Sequence, residues 1–402
     1  MPKSRSVERH DIETKGRSRR ALLAAMAVSG CLGSPSIPGG GEDDKSSTQT
    51  PRPTRTSTTR PTATEQSPST LEATDRTVVG FGGDTMVGRD LDDVYGKDGV
   101  DPASIWGDLH QRLQELDAVC CNLECCLSKK GERFPDRSYY FRGDPEWAVP
   151  ALGAGNVQFA SLANNHVMDY GADALVDTID HLSVADITVA GAGETVDAAR
   201  EPATFSVNGL DFAAVSVSEH AKEYAATADS PGIAYAVADR KNERTRWVVS
   251  DMLERAKSTD PDVLVVSVHW GENWTERPTN RHVDFGHWLV DQGVDIVHGH
   301  SAHVVQAVEQ YGDGLVLHDT GNFVDDFGVV NRVQNDESFL FEVALDGDEL
   351  GSVRLVPTHI DKGVSRADEE QAAWLRETMR ERSDPFETTY RRDDDDGLVV
   401  DL

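Results

Sequence analysis

From Thr77 onward, short apolar runs alternate with stretches of helical period. Val78-Val79-Gly80-Phe81 reads as a buried strand, and Ile105 to Leu116 carries helical periodicity. Strands follow at Ala118 to Asn122, Val157 to Leu162 and Ile187 to Ala190, separated by helices at Pro145 to Ala154 and Ala172 to Leu182. Residues 211–217 form another strand, and Arg240 to Ala256 a helix. Val263 to Val268 is the clearest buried strand of the chain. His282 to Gln292 is a helix, and Asp295-Ile296-Val297 a short strand. After Val304 the pattern turns mostly β, at Leu315 to His318, Ser338 to Ala344 and Leu350 to Thr358, before a closing helix at Glu369 to Glu381. Asp393 to Asp396 reads as a solvated loop. Alternating strands and helices that end in an antiparallel stretch predict an α/β domain with its sheet in two layers.

The N-terminal residues follow a different pattern. In the first thirty, seven Lys and Arg oppose three acidic residues. Ser18-Arg19-Arg20-Ala21-Leu22-Leu23 then leads through a short, weakly apolar run to Val28-Ser29-Gly30-Cys31. That order is expected of a twin-arginine export signal followed by a lipobox, with Cys31 the lipidated residue. The apolar run is far below the ~20 residues that span a bilayer. Residues 1–31 are therefore read as a signal and residues 32–75, rich in Thr, Ser and Pro, as a disordered linker with almost nothing to bury. The expected location is the cell surface, with membrane attachment through the lipid on Cys31.

Charge narrows the function. The 402 residues hold 70 Asp and Glu against 39 Lys and Arg, a net charge of -31. So acidic a chain lacks the basic footprint of a nucleic-acid binder. Arg outnumbers Lys about threefold. Excess carboxylate with little Lys is expected of a protein adapted to concentrated salt, where the Debye length falls to roughly 3 Å and self-repulsion is screened. Cys120, Cys121, Cys125 and Cys126 lack the paired spacing of a zinc site. They are read as small buried residues or as one disulfide across the turn, with metal binding the remaining alternative.

Polar residues gather where the predicted strands end. Gly82-Gly83-Asp84 follows the first strand, and Asn122 and Glu124 the second. Asn164-Asn165-His166, with Asp169, Tyr170 and Gly171, follow the third. His269-Trp270-Gly271-Glu272 and Gly299-His300-Ser301-Ala302-His303 follow two more. Ligands of open α/β sheets bind beyond the carboxyl ends of strands. A convergent set of His and carboxylate side chains suits first-row divalent metals. His220, His282, His287, His298, His318 and His359 are read as packing or surface residues.

These motifs, with Ala163 to Gly171 and Gly321-Asn322-Phe323 among them, occur in an order that resembles the CapA family of poly-γ-glutamate capsule synthesis proteins. The likeness runs from about Val78 to about His359. The family is related to the calcineurin-like metallophosphoesterases, including 5′-nucleotidases. The resemblance implies a metallophosphatase-like, four-layer α/β/β/α sandwich over residues 76–360; residues 361–402 are read from the sequence as a helix and acidic tail expected to pack on the same domain. It implies metal ligation by Asp84, Glu124, Asn165, His269, His300 and His303, with Glu124 near the place of the metal-bridging Asp. It also implies that His166 is the catalytic acid and Asp169 its orienting partner. One or two divalent ions, drawn from Mn, Fe, Zn or Mg, are expected. Three departures weaken the second metal position: Met86 stands where the phosphoesterases have His, Glu124 replaces Asp, and the last motif is His-x-x-His. Arg142 is a candidate for binding an anionic substrate through its bidentate fork, against the plainer reading of a surface ion pair. The expected function is a surface hydrolase acting on a phosphoester or a polyanionic polymer. The alternatives are a non-catalytic accessory subunit beside membrane-bound capsule-synthase partners and a polymer-binding surface protein.

Overall fold

The computed structural model describes residues 76–402. The predicted signal, Cys31 and the linker to residue 75 lie outside the described residues.

Two sheets form the centre. The first runs from edge to edge through Arg391–Arg392, Leu398–Asp401, Glu349–Ile360, Glu337–Asp346, Arg76–Thr85, Ala118–Leu123, Val157–Ser161 and Thr188–Ala190. Its last four strands are parallel, and those C-terminal in sequence join antiparallel. The second sheet runs through Val308–Tyr311, Gly314–Leu317, Ile296–His300, Val263–His269, Leu210–Ser218 and Ala203–Val207. Its four inner strands are parallel and both edge strands antiparallel.

The alternation of side chains along each strand sorts them into separate cores. Phe81, Cys120 and Phe341 of the first sheet meet Phe212, Val265 and Ile296 of the second between the sheets. Their neighbours Val119, Cys121 and Ala160 face outward against Trp106, Leu152 and Leu175 on helical segments. On the far side, Val215, Val266 and Val297 pack against Val248, Met252, Phe285 and Leu289 of the helices Glu243–Lys257 and Asn280–Asp291. The result is the four-layer α/β/β/α sandwich. The helix Glu369–Ser383, opened by a capping box between Asp368 and Gln371, sends Leu375 and Met379 into the inter-sheet core.

Local differences from the sequence pattern have physical causes. The helical period at 105–116 is split into a 3₁₀ segment, Pro102–Leu109, and a short helix, His110–Glu115. Gly107, at φ 49°, makes the break, and a Cβ there would sit 2.6 Å from the Val364 carbonyl oxygen. The run Asp393 to Asp396 is tied down by ion pairs, Asp395 to Arg112 at 3.1 Å and Asp393 to Arg354. The four cysteines are free thiols, all buried.

Candidate metal centre and cleft

The parallel strands of both sheets deliver their carboxyl ends to one place. Asp84 is the penultimate residue of the first strand, in register with Asn122 on one side and Asn322 on the other. The close approach needs Gly83, because a Cβ there would lie 1.8 Å from the Gly321 carbonyl oxygen, the acceptor of the Asp84 N–H at 2.8 Å. His269 and His300 end adjacent strands of the second sheet and are register partners. His303 arrives on the following turn, in which Ser301 takes φ 111° and His303 φ 57°. Left-handed backbone at non-glycine residues costs roughly 1–2 kcal/mol each. The turn accommodates the extra residue of His-x-x-His and still points both imidazoles inward.

These side chains interlock. Asn122 Nδ2 donates to Asp84 Oδ1 at 2.8 Å. His303 Nδ1 lies 3.0 Å from Asp84 Oδ2 and 2.9 Å from Asn322 Oδ1. His269 Nδ1 lies 2.9 Å from His300 Nδ1, and its Nε2 is 2.8 Å from Asn165 Oδ1. Asn164 shapes the loop that carries Asn165. Its Oδ1 accepts from the His166 and Val167 N–H groups, and its Nδ2 donates to the Leu123 carbonyl at 2.7 Å. Glu124 is fully buried, with its oxygens 3.8 Å from His269 Nε2 and His303 Nδ1, and neither oxygen has a hydrogen-bond partner.

Burial sets the charge states. It drives His269 well below the usual imidazole range and His300 down to about 3, with the neighbouring imidazoles adding to both. His303 goes the other way: burial opposes its charge, but Glu124 and Asp84 together push it up to about 10. Burial also raises Glu124 well above the carboxylate range, and Asp84 adds to this. Two groups here meet the requirements of a metal-binding set: Asp84, His269 and His300, and Asp84, Glu124 and His303. Each group's ligand atoms lie within 4.8 Å of one another. Asp84 is the residue common to both, whereas Glu124 is the one expected from the resemblance near the bridging place. Met86 is fully buried in the outer core of the first sheet and offers nothing to the cluster.

Beside the cluster, His166 Nδ1 lies 2.7 Å from Asp169 Oδ2. Asp169 is itself held by the Phe141 N–H at 2.8 Å, the Tyr224 hydroxyl at 3.0 Å and Arg137 at 3.5 Å. The Phe141 ring stacks on the His166 imidazole at 3.7 Å. Burial lowers His166, against the pull of Asp169. His166 and His303 line a cleft of about 260 Å³ together with Arg89, Phe141, Trp274 and Phe327. Tyr139 and Trp274, both exposed, stand at its mouth.

Arg142 sits elsewhere, its guanidinium 3.8 Å from the centroid of the Tyr170 ring. Arg89 is the arginine of the cleft. It lies 5.0 Å from the Phe141 ring centroid, pairs with Asp326 at 3.4 Å and takes φ 56°. Sequence reasoning also missed Arg137 and Tyr224, the remaining partners of Asp169. His220 lies edge-on to His269 with ring centroids 5.6 Å apart, and its Nε2 is 2.6 Å from the Gly271 carbonyl oxygen.

Fold and site together define an α/β/β/α protein with a buried His/Asp/Glu centre of metal-binding type at its strand ends. Residues 78–327 match the family described as "Bacterial capsule synthesis protein PGA_cap", and the chain belongs to that family. It is 30% identical over 303 residues to a "Probable polyglutamine synthesis accessory protein" of Mycobacterium tuberculosis, covering 70% of this chain and 77% of the relative. It is 29% identical over 291 residues to the "Capsule biosynthesis protein CapA" of Bacillus anthracis, covering 70% and 67%. The "PGA biosynthesis protein CapA" of Bacillus subtilis strain 168 is 27% identical over 287 residues, covering 71% and 72%. A solved structure, TT1561 of Thermus thermophilus, is similar over 68% of this chain and 96% of that chain, with 10% identity and a TM-score of 0.38.

Proposed function

We propose that this chain is a metal-dependent hydrolase of the cell surface that acts in poly-γ-glutamate capsule synthesis or export. The observation that carries this reading is Glu124, a fully buried carboxylate whose two oxygens lack hydrogen-bond partners and lie among Asp84, His269 and His303. A carboxylate is left bare in that way at a cost of about 1–3 kcal/mol or more, and a cation removes the cost. The donor set of imidazole, carboxylate and amide oxygen fits Mn, Fe or Zn better than a site of oxygen alone. Asp84, Glu124, Asn165, His269, His300 and His303 would hold one or two such ions. A divalent ion there supplies Lewis acidity to a phosphoryl or carbonyl oxygen.

The protein's own groups divide the remaining work. Asp169 fixes the His166 ring through Nδ1, which leaves Nε2 for the cleft. His166 Nε2 is the group placed to exchange a proton with a leaving oxygen. Phe141 limits the tilt of that ring and keeps water from one face. Arg89, with its charge in the cleft wall, orients an anionic substrate. Export by the Arg19-Arg20 signal and anchoring through Cys31 would place the domain outside the cell, on the side where the polymer emerges.

His166→Asn tests the catalytic reading. It should keep bound metal and lose about 10²–10⁴-fold in rate on an alkyl ester, the usual contribution of a general acid. The loss should be smaller on a nitrophenyl ester, whose leaving group needs less protonation. Equal losses on both esters would remove His166 from the proton's path.

A second reading is a non-catalytic accessory subunit of a capsule synthase. Met86, buried where phosphoesterases have a His, favours it, as does the word "accessory" in the name of the Mycobacterium relative. It predicts that His166→Asn fully restores capsule in a deletion strain, and that outcome would replace the hydrolase reading.

A further inference from the structure

A second group of ligand-type side chains lies outside the central cluster. Asp336, Glu337 and His359 each present one such atom, all within 4.8 Å of one another. Glu337 and His359 are register partners on the antiparallel strands Glu337–Asp346 and Glu349–Ile360, so their side chains share one face. Glu337 Oε1 lies 3.0 Å from His359 Nδ1.

The pairing is incomplete. Glu337 is only 7% exposed, yet its Oε2 is buried with no hydrogen-bond partner. Oδ1 of the adjacent Asp336 is left bare in the same way. Among the described residues, the one ion pair of either carboxylate is that with His359. Burial pushes Glu337 up to about 7 in spite of His359 and Gln371, and Asp336 adds repulsion. If the three residues served only to fasten a strand end, one imidazole, helped at Glu337 by the Gln371 amide, would have to satisfy two neighbouring carboxylates. Buried polar groups are satisfied almost everywhere in folded proteins, and two bare carboxylate oxygens side by side call for a partner.

We propose that Asp336, Glu337 and His359 bind a divalent cation of their own, separate from the central cluster. One imidazole with two carboxylates is a donor set for Mn²⁺ or Zn²⁺. The His359 side chain, about a quarter exposed, gives the ion a route in. The cation fastens the segment that forms one wall of the cleft. Phe327, Gly328 and Asn335 of that wall line the cleft, and Asp336 follows directly. Asn335 passes the constraint on: its carbonyl accepts from Asn322 Nδ2 at 3.0 Å, and Asn322 Oδ1 contacts His303. The ion is thus structural, holding the cleft wall against the central histidines whether or not the cleft turns over substrate.

Mn²⁺ stoichiometry on the full chain tests this, with the protein first stripped of metal. The double variant Asp336→Asn, His359→Gln should lose one equivalent relative to wild type while the central cluster keeps its own. The double variant Asp84→Ala, His269→Ala should keep one equivalent, and the combined variant none. In the Asp84→Ala, His269→Ala background, Mn²⁺ should slow proteolytic cleavage between residues 325 and 336, and in the combined variant it should not. Circular dichroism of the stripped proteins confirms that each variant is folded. Unchanged stoichiometry in Asp336→Asn, His359→Gln would overturn the proposal. So would a folded Asp84→Ala, His269→Ala protein that binds no Mn²⁺.

Discussion

Replacing Glu124 with Gln separates what the central cluster costs from what it does. In the metal-free protein, Glu124 is a buried carboxylate with both oxygens bare, close to Asp84. Burial holds Glu124 well above the carboxylate range, so folding at neutral pH must either keep a proton on it or bury its charge, and the neutral amide of Gln avoids either cost. A gain of about 2 kcal/mol is the expected size for relieving one unsatisfied buried carboxyl group. At roughly 2 °C per kcal/mol for a large domain, the metal-free melting temperature should rise by about 4 °C. Metal changes the order. At an ion concentration 100 times its Kd, wild type gains about 2.7 kcal/mol, whereas a variant bound 100-fold more weakly gains well under 1 kcal/mol. The advantage of Glu124→Gln should therefore vanish once Mn²⁺ or Zn²⁺ is added. The assay is thermal unfolding of both proteins, in chelator and in excess metal. A lower melting temperature for Glu124→Gln in chelator, with an unchanged metal-induced shift, would show that Glu124 is a structural carboxylate and refute the reasoning.

Glu219 behaves in the opposite sense. Burial opposes its charge, but His282 at 2.8 Å, Arg281 and the Gly271 N–H hold it well below the carboxylate range. A depressed carboxylate stabilises the fold above its unfolded pKa of about 4.5 and loses that contribution as pH falls. Glu219→Gln should cost about 3 kcal/mol at pH 7, and the difference in urea midpoint should shrink below pH 4; a gap that is constant with pH would contradict this. If the acidic composition reflects salt adaptation, the melting temperature should climb between dilute buffer and molar salt, and a flat or falling trend would count against it. Arg19→Lys with Arg20→Lys should trap precursor inside the cell, and Cys31→Ser should leave the protein unprocessed or release it to the medium. Unchanged membrane fractionation of both variants would remove the export and anchoring reading.

Much of the site was legible because its chemistry is local in sequence. Asp84, Asn122, His269 and His300 each sit at or next to the end of an apolar strand, and strand ends are where parallel sheets put ligands. The two-layered sheet was legible for the same reason: Val263 to Val268 and Val78 to Phe81 are runs that only a sheet covered on both faces buries. What could not be read depends on distant parts meeting. Arg89 matters only because Phe141 and Asp326 close around it, and nothing in Gly88-Arg89-Asp90 announces that. Arg137 and Tyr224 join Asp169 across long stretches of chain. Arg142 shared a short motif with Phe141, but the extended backbone turns alternate side chains to opposite faces, so Phe141 reaches His166 while Arg142 covers Tyr170. The edge strand Ala203–Val207 was hidden because half of it faces solvent and carries Thr and Ser, which read as loop. Its buried ends do alternate with exposed positions, the signal by which it was open to recognition.

The central claim is that Asp84, Glu124, Asn165 and the three histidines form one metal centre. Metal analysis of the purified protein tests it most directly, comparing wild type with Asp84→Ala, His269→Ala and, as a control beside the cluster, His220→Ala. The account predicts that wild type and His220→Ala carry the same divalent metal content and that Asp84→Ala and His269→Ala each carry less. Full retention of metal by both Asp84→Ala and His269→Ala would contradict it.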